Sequence, residues 1–199
     1  MQLEQYRIIF ISIGLIGILL FALPSINLLI KPPSDQQFSE LYLLGSDHMI
    51  DNYPYAIVAG KNYPLYVGVG NHLGSAAYYT VYVKLVNKTD LLPNANLATP
   101  SSSPPIFEYK FFLTNEAIWE SPLVFSVSKT SSNADGCIIN QLSINGDLFN
   151  VNKASTRDTN STGFYYGLVC ELWVYNTTNN SFQYHNRAVN LKLNLLETT

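Results

Sequence analysis

Charge is scarce in this chain of 199 residues: Asp, Glu, Lys and Arg together make up 13% of it, and the net charge is −3. No basic run occurs, so nucleic acid is not an expected partner. Histidine is rarer still. His48, His72 and His185 are the three in the chain, and none stands at metal-ligand spacing from another His, a Cys or a carboxylate, so no metal site is expected. There is no Gly-x-Ser-x-Gly elbow, phosphate loop or zincin motif. Gly68-Val69-Gly70 lacks the third glycine and following helix of a dinucleotide site, and reads instead as a strand that a neighbour approaches closely. With no catalytic constellation and no cofactor motif, the expectation is a protein that is not an enzyme.

What is present begins at the N-terminus. Ile8 to Ile30 run for 23 positions without a charge. As a helix they would reach roughly 35 Å, enough for a hydrocarbon core of about 30 Å. Ile8, Phe10, Ile11, Ile13, Leu15, Ile16 and Leu19 leave no polar face, as expected of a helix in lipid. Pro24 leaves open a shorter, cleaved signal peptide. Against cleavage, no small-x-small site follows, and Ile26, Leu28, Leu29 and Ile30 prolong the run. The expectation is therefore a retained signal anchor at 8–30 after a cytoplasmic tail at 1–7. Arg7 and Lys31 balance across it, so the positive-inside rule does not orient it. The larger C-terminal part, with its cysteines and sequons, is placed outside the cell.

Lys31 to Gln37, with Pro32-Pro33, forms a stiff polar spacer. Beyond it the hydrophobic period is two. Leu65/Val67/Val69, Tyr79/Val81/Val83/Leu85, Leu123/Phe125/Val127, Leu168/Cys170/Leu172/Val174 and Val189/Leu191/Leu193/Leu195 alternate with polar or aromatic neighbours. Such runs are half-buried antiparallel strands. Phe38–Leu44, Tyr55–Val58, Ile106–Leu113, Ile138–Ile144 and Phe182–His185 are further candidates, and Asn145-Gly146 is a hairpin turn signal. Leu92 to Pro105 reads as a long surface loop, and Asn115 to Glu120 as one helical turn at most. The expected fold is all-β: an immunoglobulin-like antiparallel β-sandwich of about 8–10 strands over 38–199.

Cys137 and Cys170 are the two cysteines. In an oxidising compartment they would close a loop of about 30 residues, worth about 3 kcal/mol; two buried thiols that never meet are the alternative. Sequons occur at Asn87, Asn160, Asn176 and Asn179, all in loops or at strand ends where a glycan fits. With 20 Asn in the chain, their number alone says little. Tyr78-Tyr79, Tyr82, Tyr165-Tyr166 and Tyr175 are candidates for a ligand face; Trp119 and Trp173 are expected as packing aromatics.

Phe38-Ser39-Glu40-Leu41-Tyr42-Leu43-Leu44-Gly45, then Asn52-Tyr53-Pro54, Ala59-Gly60, Tyr66-Val67-Gly68-Val69-Gly70-Asn71-His72 and Tyr79-Thr80-Val81 resemble the exported domain of an archaeal family of predicted membrane proteins. That family is catalogued only as a domain of unknown function. The resemblance covers about 38–87, with Trp119 and Val124-Phe125 beyond it, and Leu73 stands where its pattern leads one to expect an acidic residue. It implies a membrane-tethered β-domain and brings no activity.

The expected partners are the lipid bilayer and other membrane or cell-surface proteins. The leading expectation is a single-pass, glycosylated surface protein with a structural or interaction role. An accessory subunit of a respiratory or oxidase-type membrane complex, packed through Gly14 and Gly17, is the alternative. A filament or sheath subunit donating Phe38–Leu44 to a neighbour is a third.

Overall fold

A computed structural model describes residues 6–7, 11–18, 37–132, 136–157 and 162–196. The chain divides into two units, Met1–Gln37 and Phe38–Thr199. In the first, 11–18 is helical, and Ile11, Ile13, Leu15, Ile16 and Ile18 are all exposed. Among the described residues no helix is long and apolar enough to cross a membrane. Most of the segment expected to be the anchor, and nearly all of the spacer, lie outside the described residues.

The second unit is all-β. Among the described residues its ten strands are β1 (Phe38–Leu44), β2 (Ala56–Ile57), β3 (Tyr63–His72), β4 (Ala77–Val86), β5 (Phe107–Leu113), β6 (Ile118–Ser132), β7 (Gly136–Ile144), β8 (Asp147–Thr156), β9 (Gly163–Asn176) and β10 (Ser181–Leu196). They form two five-stranded sheets, β1-β3-β6-β7-β8 (sheet 1) and β2-β10-β9-β4-β5 (sheet 2). All pairings are antiparallel except β2 with β10. Sheet 2 is therefore mixed, which corrects the purely antiparallel expectation. Two residues of β2 lie alongside Asn194 and Leu195, too short a run for periodicity to give its direction.

The alternation of side chains builds the core. Leu65, Val67 and Val69 of β3 and Leu123, Phe125 and Val127 of β6 belong to one buried cluster with Val81, Val83 and Leu85 of β4 and Leu168, Cys170 and Leu172 of β9. Burying a Leu or Val fully is worth about 1.5–3 kcal/mol, so this cluster is the main favourable term of the fold. Gly68 marks a close approach, since a Cβ there would collide with the ring of Tyr42 on β1. The aromatic ring covers the gap that the missing side chain leaves.

Three expectations need correction. Asn115 to Glu120 contains no helical turn: a two-residue bend with Glu116 at φ +60° leads directly into β6. Phe182–His185 and Val189–Leu195 are one strand, β10, interrupted by a register shift between Tyr184 and Arg187 with Asn186 at φ +55°. The shift adds two residues and so keeps the in-and-out phase: Phe182 and Tyr184 stand on the outward row and Val189, Leu191, Leu193 and Leu195 on the inward one. The apolar residues therefore change rows along the strand, and the sequence reads as two short runs. Finally, β8 follows the turn as a further strand that alternation does not predict, because its inward row is apolar only at Phe149 and Val151 and continues with Lys153 and Ser155.

The Asn145-Gly146 signal holds. With φ of +53° and +94°, the pair forms the type of turn that joins twisted antiparallel strands. The Asn145 side chain does more than permit the bend. Its Oδ1 accepts from the Val124 N–H at 2.8 Å, and its Nδ2 donates to the Tyr109 hydroxyl at 2.9 Å. Asn145→Ala is expected to destabilise the protein by about 1–3 kcal/mol, since it strands these partners, whereas Asn145→Asp keeps the Val124 acceptor and should cost less. Urea unfolding midpoints check the order.

Candidate functional site

Because the inward rows of β4 and β9 fill the core, their outward rows meet on the far side of sheet 2. Those rows are Tyr78, Thr80, Tyr82 and Lys84 on β4 and Val169, Glu171, Trp173 and Tyr175 on β9, with Thr80 opposite Trp173 and Tyr82 opposite Glu171. β5 adds Phe112 opposite Tyr78. β10 adds Phe182 and Tyr184 opposite Tyr175 and Trp173. Seven aromatic rings thus share one open face across four strands.

The rings touch one another. Phe112 stacks on Tyr78 with centroids 4.2 Å apart and planes at 13°. Phe182 lies 5.1 Å from Tyr78 and 5.3 Å from Tyr175. Trp173 meets Tyr82 edge-on at 5.5 Å and Tyr184 at 5.8 Å. Cross-strand aromatic pairs stabilise a sheet by themselves. Here Phe112 is 75% exposed and the other six are half-buried, so a large apolar surface remains in contact with water.

At one end the face closes over an ion pair. Lys84 Nζ lies 2.8 Å from Glu171 Oε2, with side-chain exposures of 5% and 0%. Glu171 also accepts from the Ser101 N–H at 2.6 Å and the Trp173 Nε1–H at 3.3 Å, and Lys84 donates to the Ser101 carbonyl at 3.2 Å. Ser101 belongs to the segment between β4 and β5, so the pair fastens that loop to sheet 2. The same loop is fastened to sheet 1 by Lys153 of β8, which donates to Asp90 at 2.8 Å and Ser103 at 2.9 Å. Burial alone would raise the Asp90 pKa, but hydrogen bonds from Lys153, the Asn87 N–H and Ser103 outweigh it and hold the carboxyl below its usual range. Thr80 Oγ1 and Ser101 Oγ are buried near Glu171 with no hydrogen-bond partner.

The histidines lie elsewhere, each held by its own neighbours. His48 stacks on Tyr66 at 3.7 Å and bonds Glu120 at 2.8 Å. His72 bonds Glu116 at 2.7 Å and stacks on Phe38 at 4.7 Å. His185 Nε2 lies 3.1 Å from Ser39 Oγ, which is 2.7 Å from the Tyr79 hydroxyl. Ser39 is 0% exposed, so its hydroxyl faces these partners and not solvent. The group links β1 of sheet 1 to β4 and β10 of sheet 2. Burial, then the charge of Arg187, push the His185 pKa down. Among the described residues no group of three or more His, Cys, Asp or Glu is placed to hold a metal ion.

The other residues singled out from sequence are dispersed. Tyr78, Tyr82 and Tyr175 do share the aromatic face. Tyr79 and Tyr166 point into the core. Phe112, Trp173, Phe182 and Tyr184 complete the face and had not been assigned to it; strict in-and-out alternation along β4 and β9 was the available signal. Trp119 stacks on Phe111 at 3.8 Å against the core.

Cys137 on β7 and Cys170 on β9 are both buried, and no bridge joins the two in this structure. The Tyr166 hydroxyl donates to the Cys137 carbonyl at 2.7 Å, so Cys137 lies within a tyrosine's reach of residue 166. Burial, and next the Glu171 charge, push the Cys170 thiol up to about 12, leaving it unreactive.

Of the sequons, Asn179 lies in the exposed turn between β9 and β10. Asn176 Nδ2 donates to Gln183 at 3.0 Å. Asn87 caps a tight turn: its Oδ1 accepts from Thr89 and Asp90, and its Nδ2 donates to the Ala154 carbonyl at 2.8 Å. It borders a cleft of about 480 Å³ that also touches Thr89, Ser132, Ile138 and Ala154. Asn160 lies outside the described residues.

Residues 32–135 match the model of a family described as Domain of unknown function (DUF1616). The match covers just over half of the chain, which therefore belongs to this family. No curated protein matches the sequence. Among solved structures, the sporulation control protein Spo0M of Bacillus subtilis shares 8% identity at a TM-score of 0.41, over 81% of this chain and 50% of that one. A beta-glucosidase of Listeria innocua solved with glucose shares 9% identity at a TM-score of 0.40, over 81% of this chain and 16% of that one. The chain thus spans half or less of the length of these structures, and likenesses at this level assign neither a fold family nor an activity.

Two outcomes are expected at this site. Lys84→Met leaves the Glu171 carboxylate buried and unpaired, and should cost about 3–5 kcal/mol of stability; Lys84→Met with Glu171→Met should recover most of it, as chemical denaturation of both variants will show. The second concerns pH. An unfolded His has a pKa of about 6.5 and folded His185 a lower one, so the unfolded chain binds the extra proton as pH falls. The stability tied to neutral His185 is complete above about pH 6.5 and drains away below it. Denaturation midpoints measured from pH 7.5 to 5 should fall less steeply in His185→Gln.

Proposed function

We propose that this member of the DUF1616 family is a non-catalytic surface module, tethered to a membrane by Ile8–Ile30, that engages another membrane or cell-surface protein through the aromatic face of sheet 2. The observation that carries this reading is the row of seven aromatic rings left open to water. Isolated apolar residues on a surface need no explanation, but a contiguous apolar patch marks an interaction site. Tyr and Trp are also the side chains that most often dominate binding energy. The tether is supported by the uncharged run and by the exposed Ile and Leu side chains of the helical stretch 11–18. We place the module outside the cell, with Asn179 as the sequon most accessible to a glycan.

The immunoglobulin-like class is supported by sheet 2. The order β10-β9-β4-β5 follows the G-F-C-C′ order of a variable-type domain. Sheet 1 departs from it: β6, β7 and β8 add outward in sequence order beyond β3, whereas in the immunoglobulin sheet the outer strand D precedes its inner neighbour E.

A filament joined by donated Phe38–Leu44 is less well supported, because β1 pairs over its full length with β3 of its own chain. The accessory-subunit reading keeps one observation in its favour. Gly14 and Gly17 have nothing within 4 Å of where a Cβ would stand, which leaves room for a neighbouring helix.

The test is co-purification of the tagged chain from its native membranes in mild detergent. Tyr78→Ala with Phe112→Ala and Phe182→Ala should reduce partner recovery at least tenfold while leaving the melting temperature of the β-unit cooperative. Unchanged recovery in that variant, with loss in Gly14→Leu/Gly17→Leu instead, would shift the conclusion to the accessory subunit. A purified monomer with turnover on a small molecule would overturn both.

A further inference from the structure

Among the described residues, sheets 1 and 2 end in four edge strands, β1, β8, β2 and β5. Free edges invite pairing with another chain, and proteins blunt them by capping, bulging or shortening. Three of these four are blunted. Along β1, Arg187 Nε donates to the Ser39 carbonyl at 3.1 Å and the Tyr53 hydroxyl to the Leu43 carbonyl at 2.6 Å. β8 carries a register shift against β7 and a positive φ of +45° at Asn152. β2 has two residues.

β5 has no cap, bulge or shortening of this kind; the charges that it carries, Glu108 and Lys110, are of opposite sign and so do not repel a second copy. Its seven residues pair with β4 in unbroken register, it contains no proline, and its far edge has no strand beside it. We propose that β5 pairs antiparallel with β5 of a second copy of this chain about a two-fold axis at Tyr109, joining two copies of sheet 2 into one continuous ten-stranded sheet.

Charge complementarity selects both the occupant and the register. In an antiparallel pair centred on Tyr109, Glu108 stands opposite Lys110 of the second copy, and Lys110 opposite its Glu108. Directly opposed residues share a face, so both pairs lie on the outer face, where Glu108 and Lys110 have side-chain exposures of 46% and 41%. Within one copy the two already touch, with Lys110 Nζ 2.6 Å from Glu108 Oε1. In the pair each charge would gain a second opposite charge, giving a closed square of four. On the inner face Phe107 would stand opposite Phe111, covering the two half-buried rings at the margin of the core. The register is isologous: the same patch is used twice, and the assembly closes at two copies. Centring on Lys110 would instead oppose two lysines, so the sequence of this edge rejects that alternative. Pairing at β5 holds whether or not the aromatic face takes a partner, and it would set two such faces side by side.

Two measurements on the full chain in mild detergent test this. Chains carrying Glu108→Cys and chains carrying Lys110→Cys are oxidised separately and as an equal mixture; the native thiols are buried and do not compete. The mixture should give disulfide-linked dimer at least tenfold above either chain alone, because positions 108 and 110 face each other only between copies. In parallel, Glu108→Lys should weaken dimerisation at least tenfold by sedimentation, and Glu108→Lys with Lys110→Glu should restore it. Cross-linking no greater in the mixture than in the separate chains, or a Glu108→Lys variant as dimeric as the parent, would overturn the proposal. Both sites are exposed, and a circular dichroism melt shows whether each variant is folded.

Discussion

The carboxylate of Glu171 lies wholly out of water on the outward side of β9, and a charge so placed must be matched or the fold gives way. Lys84 from the neighbouring strand matches it, the Ser101 N–H and Trp173 indole complete it, and each partner constrains something further. Ser101 draws the long segment between β4 and β5 onto the sheet. Trp173 is held upright at the border of the aromatic face, against Tyr82 and Tyr184. One desolvated charge thus couples the loop between β4 and β5 to the aromatic face of sheet 2. An apolar pair in its place would pack as well but would orient neither the loop nor the indole.

The same economy runs through the other polar groups of the unit. Ser39, Tyr79, Asn71 and His185 form a hydrogen-bonded bridge between the sheets, with the Tyr79 hydroxyl donating to Asn71 Oδ1 at 3.0 Å and Asn71 Nδ2 donating to the Leu113 carbonyl at 2.9 Å. Asn145 does similar work at the opposite hairpin. These contacts bring few formal charges to the interior, in keeping with a chain in which charge is scarce, and they tie together segments far apart in sequence.

Much of this was legible from alternation alone. Phe38–Leu44 was delimited to the residue, and the inner rows of β3, β4, β6 and β9 could be read directly from Val and Leu at every second position. What failed to show had local causes. Across the irregularity at Asn186 the apolar residues of β10 move from the outward row, Phe182 and Tyr184, to the inward row, Val189 to Leu195, and this hid its continuity. In β8 the inward row is apolar only at Phe149 and Val151 before Lys153 and Ser155, too short an alternation to mark a strand. The tyrosine doublets could be resolved only by phase: Tyr78 and Tyr79 adjoin in sequence yet face opposite sides, so grouping them by composition put one core residue on the surface. Cys137 and Cys170 were each placed correctly as buried.

The interleaving of the strands has a consequence for what counts as a unit here. The family match stops at residue 135, after β6, yet in sheet 2 the strands before that point, β2 on one side and β4 with β5 on the other, are separated by β10 and β9. Nothing in the first half can bridge that gap, because β4 spends its inner hydrogen-bonding edge on β9 and β2 has no other neighbour. The boundary of the shared sequence therefore runs through the middle of an indivisible object. Whatever varies beyond residue 135 is under the same packing constraint as what is shared before it, and the last two strands serve as the keystone that lets the first six close.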